Sequence, residues 1–185
     1  EALAATIADI VGDRAVHVLV NNSGGPPPGP VWNAEPEAFL IAYRQHVVAA
    51  QVLAHACLPG MREARYGRIV NIVSTSVKEP IPNLGVSNTT RAAMAGWAKT
   101  LASEVAADGI TVNNVLPGYT RTPRLEALVE SSVKAGRTRE EVEKGLLASV
   151  PAARFAEPAE VAAMVAFLAS PAAGYVNGTS IAVDR

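Results

Sequence analysis

The chain has 185 residues, enough for one domain with a well-buried core. Hydrophobic residues make up 49% and charged residues 18%, a globular balance that excludes a disordered chain. With 16 Lys and Arg against 17 Asp and Glu, interspersed along the chain, the net charge of -1 excludes a nucleic-acid footprint and an acidic tail.

The chain starts at Glu1 inside a helical pattern, Leu3, Ile7, Ile10 and Val11, with no cap before it. It is therefore expected to be a piece of a longer protein. The opening helix stops at Gly12-Asp13. Val16 to Val20 is a short β-branched run, bounded by Asn21-Asn22-Ser23-Gly24-Gly25, as a buried parallel strand should be. Pro26, Pro27 and Pro28 have fixed φ and no backbone donor, which predicts a stiff connector to Pro30. A helical region follows from about Glu35 to Ala64. Between Val47 and Leu58 its apolar residues nearly circle the axis, which predicts burial on most sides, by the sheet and by a partner subunit. Cys57 is the only cysteine, which excludes an internal disulfide, and its apolar setting predicts an inert buried thiol.

Gly67 to Ser74 reads as the second strand. A Pro/Gly/Asn-rich loop leads to a helix from Asn88 to about Ala107, ended by Asp108-Gly109. Ile110 to Leu116 is the third strand, stopped by Pro117-Gly118. The segment 122–150 turns charged and helical, outside the strand–helix rhythm. Pro158 opens a helix through Ala169. Thr179 to Asp184 is a last strand. The longest apolar runs are too short to cross a bilayer and no secretory pattern occurs, so a cytoplasmic location is expected.

Strands alternating with helices predict a parallel α/β sheet with right-handed crossovers. Ligands bind such sheets beyond the carboxyl ends of the strands, which directs attention to Asn21–Gly25, Ser74–Ser76 and Pro117–Thr122. The small residues Asn21, Asn22, Ser23 and Gly24 admit a ligand to the backbone, or form an ordinary polar turn. Ser74 can donate to a substrate carbonyl oxygen, or cap the loop backbone. Thr122 reads equally as a helix N-cap before Pro123. His46 is a core histidine or a proton relay. His17 and His55 have no spacing that suggests a metal site.

The run Leu84-Gly85-Val86-Ser87-Asn88-Thr89-Thr90-Arg91-Ala92-Ala93-Met94-Ala95-Gly96-Trp97 places Ser87 13 residues after Ser74. It resembles the active-site segment of the short-chain dehydrogenase/reductase family. So do Asn21-Asn22-Ser23-Gly24, similar to that family's Asn-Asn-Ala-Gly motif, and Pro117-Gly118-Tyr119-Thr120-Arg121-Thr122, similar to its Pro-Gly-x-x-x-Thr segment. Arg154 to Pro158, Asn177-Gly178-Thr179 and Val183-Asp184 resemble its carboxyl-terminal portion. The Gly24 to Pro30 loop and the Ser-Asn-x-x-Arg helix start resemble a divergent subgroup of 3-oxoacyl-acyl-carrier-protein reductase-like members.

The resemblance implies a doubly wound Rossmann-type α/β fold, of which this chain is the carboxyl-terminal two-thirds, and NAD or NADP as cofactor. It implies that Ser74 polarises the substrate oxygen, and that Asn21, Asn22, Ser23, Gly24, Arg91, Pro117, Gly118, Thr120 and Thr122 lie along the cofactor. It implies a homodimer or homotetramer packed through the helices corresponding to Tyr43–Met61 and Asn88–Ala107. It also implies a substrate lid at 122–150, for which a solvated helical pair is the plain alternative.

The family's catalytic tyrosine and lysine positions read Ser87 and Arg91. An aliphatic hydroxyl is a far weaker acid than a phenol, and an arginine stays charged. Ser87-Asn88 reads simply as a helix N-cap. A surviving reaction on a carbonyl or hydroxyl substrate must then take its proton from Tyr119, from His46 through water, or from the hydroxyls at Ser74 to Ser76. A non-redox binding or assembly module is the alternative. No Gly-rich dinucleotide fingerprint follows a strand. The absent βαβαβ half would take roughly 60–70 residues. Its absence would leave the first strand at a sheet edge, so a natural mass above 19.2 kDa is expected.

Overall fold

The computed structural model describes residues 2–12 and 14–184; Asp13, expected at the end of the first helix, lies outside the described residues. Helix α1 (Ala2–Val11) packs on α3 (Ala49–Glu63). The strands β1 (Val18–Asn21), β2 (Gly67–Ile72), β3 (Ile110–Pro117) and β4 (Ser180–Val183) form one parallel sheet in the order of the chain. Every residue of β3 from Ile110 to Leu116 is buried, because helices cover both faces of the sheet there.

The sheet's alternation divides the core. Ile69, Ile110 and Val112 turn towards α3 and α4 (Gly85–Val105), where they meet Ala54, Met61, Ala98 and Ala102. Val70 and Val115 turn the other way and meet Leu168 of α7 (Pro158–Ala169). β1 is an edge strand: Val18 and Val20 are 41% and 44% exposed. Helix α7 starts at Pro158 as predicted, with Glu157 and Glu160 completing a capping box.

The long helix before β2 is interrupted. Between α2 (Pro36–Tyr43) and α3, residues Arg44–Val48 form a π-turn. One extra residue in the turn rotates the side chains, and His46 and Val47 are buried. Within this chain the sheet and neighbouring helices bury one face of the helix. Val47, Ala50, Ala54, Cys57 and Met61 form one buried face, while Leu40, Ile41, Tyr43 and Val48 are exposed.

At the amino-terminal end of the sheet, buried Arg68 donates to the carbonyls of Gly67, Gly109 and Ser170, and its guanidinium lies 4.2 Å from the Tyr66 ring centre. This ties the start of β2 to the ends of α4 and α7. Gly109 adopts φ 76°, and a Cβ there would collide with the Arg65 carbonyl. The charged segment forms α5 (Pro123–Lys134) and α6 (Arg139–Leu147), packed together and held by the Arg139–Glu126 ion pair.

Candidate active site

A ladder of side-chain amides fixes the carboxyl ends of the strands. Asn21, Asn71, Asn114 and Ser180 are register partners across the four strands. Asn21 Nδ2 donates to Asn71 Oδ1 (2.8 Å), Asn71 Nδ2 to Asn114 Oδ1 (2.9 Å), and Asn114 Nδ2 to Ser180 Oγ (3.1 Å). Asn71 is fully buried. Buried amides cost free energy unless paired, so this ladder specifies register: a slip by one residue would orphan each rung. Asn71 and Asn114 carried no role in the sequence reading. Their signal was an Asn in each of three apolar strands, at or near its carboxyl end.

The loops that leave β1 and β2 are neighbours because those strands pair. From the first loop, Ser23 Oγ lies 2.7 Å from Nδ1 of His46, so the π-turn brings the imidazole to the loop at the carboxyl end of β1. His46 is 4% exposed and its Nε2 has no partner. Burial holds its pKa down to about 4, helped by the charges of Arg91 and Arg124, while a hydrogen bond with the Gly24 backbone acts the other way. The ring is therefore neutral at neutral pH. Asn22 and Gly24 are exposed beside it.

Ser74 follows β2 with extended backbone, and its Oγ accepts from the Ser76 amide at 3.1 Å. Accepting leaves the hydroxyl proton for another partner. Ser74 caps the short turn at Thr75–Val77, as its plain reading predicts. Ser76 is buried, and its Oγ is unpartnered.

The expectation that Ser87-Asn88 caps a helix is corrected. Helix α4 begins at Gly85, three residues earlier than predicted, and Ser87 is buried in its first turn. The reason is backbone pairing from the Pro-rich loop: Gly29 N donates to Asn83 O (2.7 Å) and Gly85 N to Gly29 O (3.1 Å). A first-turn donor satisfied this way needs no side-chain cap. Asn88 Nδ2 instead reaches back to Ile81 O at 2.8 Å. Arg91, one turn on, donates from Nη1 to Ile72 O (2.8 Å), while its Nε is buried without a partner. Burial and the nearby Arg124 hold its pKa down to about 10, so it remains a cation at neutral pH.

After β3, Thr122 Oγ1 accepts from the Leu125 amide and donates to Thr120 O, capping α5 as its plain reading predicts. Tyr119 packs edge to face on Phe155, with ring centres 6.5 Å apart. The recess it shares with Arg154, Glu160, Val183 and Asp184 includes neither Ser74 nor Ser87. A cavity of about 220 Å³ between α5 and α6, lined by Thr122, Leu125, Val129, Glu143 and Phe155, likewise does not reach Ser74. Pro117 and Gly118 lie at the end of β3, where Gly118 N bonds Val183 O.

Arg124 was missed by sequence reasoning. From the first turn of α5 it donates to Gly25 O (3.1 Å) and Pro26 O (3.2 Å), latching α5 to the loop after β1. The closeness explains Gly25: a Cβ there would stand 2.8 Å from Arg124 Nη2. A lone arginine in a charged segment gives no sequence signal for such a role. Among the described residues no three His, Cys, Asp or Glu side chains cluster as a metal site, and no helix is long and apolar enough to cross a membrane.

Comparison with known proteins agrees with this architecture. A family model described as enoyl-(acyl carrier protein) reductase matches residues 1–185. The 3-oxoacyl-[acyl-carrier-protein] reductase FabG of Haemophilus influenzae is 36% identical over 186 residues, covering 100% of this chain and 71% of its own. Among solved structures, YwfH, an NADPH dependent reductase involved in bacilysin biosynthesis, superposes with a TM-score of 0.91 at 30% identity, over 98% of this chain and 71% of that one. The actinorhodin polyketide ketoreductase with NADPH superposes with a TM-score of 0.90 at 32% identity, over 98% and 71%. With its parallel sheet, its strand-end motifs and a family match along its whole length, the chain belongs to the short-chain dehydrogenase/reductase family of oxidoreductases.

Proposed function

We propose that the protein is an NAD(P)(H)-dependent reductase of a carbonyl substrate, 3-oxoacyl reductase-like, working with an altered catalytic set. The observation that carries this reading is Ser74, whose free hydroxyl proton stands at the end of a strand fixed by the amide ladder. The residues fit a nicotinamide dinucleotide. His46 Nε2, Ser76 Oγ and Arg91 Nε are buried polar atoms without protein partners near the strand ends, and Gly24 opens on free space. Asn22, Ser23, Gly24 and Arg91 would hold the nicotinamide end, with Gly118, Thr120 and Thr122 beside it; when bound, the dinucleotide supplies or accepts the hydride.

Ser74 donates to the substrate oxygen and stabilises the charge that develops there. Arg91, fixed by the Ile72 carbonyl, adds a positive charge without being able to act as an acid near neutral pH. For the proton, the Ser23–His46 hydrogen bond supports a relay through the neutral imidazole. Tyr119 is the weaker choice, since its ring is committed to Phe155. Helices α5 and α6 act as the substrate lid. The exposed Leu40, Ile41, Tyr43 and Val48 support a homo-oligomer that covers this face.

The loss of a phenol at Ser87 favours a second reading, a dinucleotide-binding module without turnover. Mixing the protein with NADPH or NADH, following fluorescence and thermal unfolding, and then assaying a carbonyl panel separates the two. Binding with turnover that collapses in Ser74→Ala supports the reductase; binding without turnover supports the module; no binding at all supports a structural role.

A further inference from the structure

We propose that the cavity between α5 and α6 is a binding site for a small organic cation, an ammonium group carried on an apolar ring or short chain. The site does not depend on the reductase reading, since the cavity does not reach Ser74.

One part of the lining is apolar and the other charged. Pro123, Leu125, Val129 and Phe155 make up the apolar part, and of these Val129 and Phe155 are buried. The volume of about 220 Å³ exceeds the roughly 150 Å³ in which an apolar cavity takes up a benzene ring. One ring with a short polar arm therefore fits, whereas a dinucleotide does not. The occupant would touch both helices, α5 through Leu125 and Val129 and α6 through Glu143, and would lie against Thr122, the cap of α5. It would therefore act on the lid as an effector, not as the reacting substrate.

The charged part of the lining sets the sign of the ligand. It consists of Arg121, Glu126 and Glu143. Arg121 is already offset: its Nε meets Glu157, outside the lining, at 3.1 Å, and its guanidinium carbon lies 5.4 Å from the Phe155 ring centre. Glu126 accepts from Arg139 through both of its oxygens. Glu143 meets the same guanidinium through Oε1 alone, at 3.3 Å, which leaves Oε2 as an acceptor. Two carboxylates of the lining thus share one arginine, and the cavity keeps a negative charge in excess. A bound anion would add to that excess, and a cation offsets it. An ammonium offers three N–H donors, and its apolar body would cover Val129 and Phe155.

Three probes of nearly equal size test this: benzylammonium, benzyl alcohol and phenylacetate, titrated calorimetrically at about pH 7, where an alkylamine is protonated. Benzylammonium should bind at least about fivefold tighter than the alcohol, as expected for a charge-assisted contact with a half-exposed carboxylate, and phenylacetate should bind weakest. Glu143→Gln should bring the ammonium down to the affinity of the alcohol and leave the alcohol unchanged. Val129→Phe, which fills the apolar part, should abolish binding of both; should that variant fail to fold, Glu143→Gln on the half-exposed rim carries the test alone. Bound benzylammonium should slow hydrogen exchange within 123–147. Equal affinity for the ammonium and the alcohol overturns the proposal, as does tighter binding of phenylacetate or no binding of any probe. An ammonium preference that survives Glu143→Gln, or protection that falls outside 123–147, overturns it as well. Loss of hydride transfer to every carbonyl would remove the reductase reading and leave this site standing.

Discussion

Acidification should destabilise the folded protein through one residue, His46. Its pKa lies at about 4 in the folded state against an ordinary 6.5. The main cause is burial, which strips hydration from the imidazolium, and the charges of Arg91 and Arg124 add to it. The unfolded chain therefore binds a proton that the folded chain refuses. The resulting contribution to stability is complete above pH 6.5, is lost as pH falls towards 4, and changes no further below that. The gap corresponds to about 3 kcal/mol, a large share of the roughly 5–15 kcal/mol by which domains are stable. Urea unfolding of the protein and of His46→Asn across this pH range measures it. Carboxylates titrate in both proteins, so the difference between the two profiles isolates the histidine. That difference should shift by about 3 kcal/mol across the window, with the variant less sensitive to acid. Parallel profiles would refute the reasoning and mean that the imidazole protonates in place.

Asn71→Ala removes the middle rung of the ladder and strands Asn21 Nδ2 and Asn114 Oδ1 in the interior. A loss of about 2–4 kcal/mol in urea unfolding is expected, and a loss below about 1 kcal/mol would show that the rungs are satisfied otherwise. Ser180→Ala, which removes only the last acceptor, should cost about 1 kcal/mol by the same measurement. Gly25→Ala places a methyl group against the Arg124 guanidinium and should release α5, seen as faster limited proteolysis within 123–147; unchanged cleavage would mean that the latch does not hold the lid. Thr122→Ala should cost about 1 kcal/mol of cap energy and raise hydrogen exchange in the first turn of α5.

What was legible in the sequence followed from local chemistry. The strand from Ile110 is a β-branched run with a glycine before it and a proline at its end, and the helix at Pro158 has proline at its first position; both formed as read. The order of motifs was enough for the family: two lie at the carboxyl ends of β1 and β3, where the fold gathers them, and others open α4 and α7. Illegible features depended on partners distant in the chain. The start of α4 shifted to Gly85 because Gly29, more than fifty residues earlier, pairs with its backbone. The π-turn at Arg44–Val48 has no proline or glycine to mark it, so the sequence left His46 as a core histidine or a relay. Arg124 and the amide ladder are tertiary facts: each side chain is unremarked until the sheet register, or the docking of α5, brings its acceptor near.

The most direct test of the proposed reductase is hydride transfer itself. NADPH and NADH carrying deuterium at the reactive carbon are incubated with the protein and a panel of carbonyl compounds that includes 3-oxo acids, and the products are read by mass spectrometry. One deuterium should appear in a reduced product, and Ser74→Ala should lower its rate by about a hundredfold or more while the dinucleotide still binds. Bound dinucleotide with no deuterium transferred to any carbonyl, or transfer unaffected by Ser74→Ala, would contradict it.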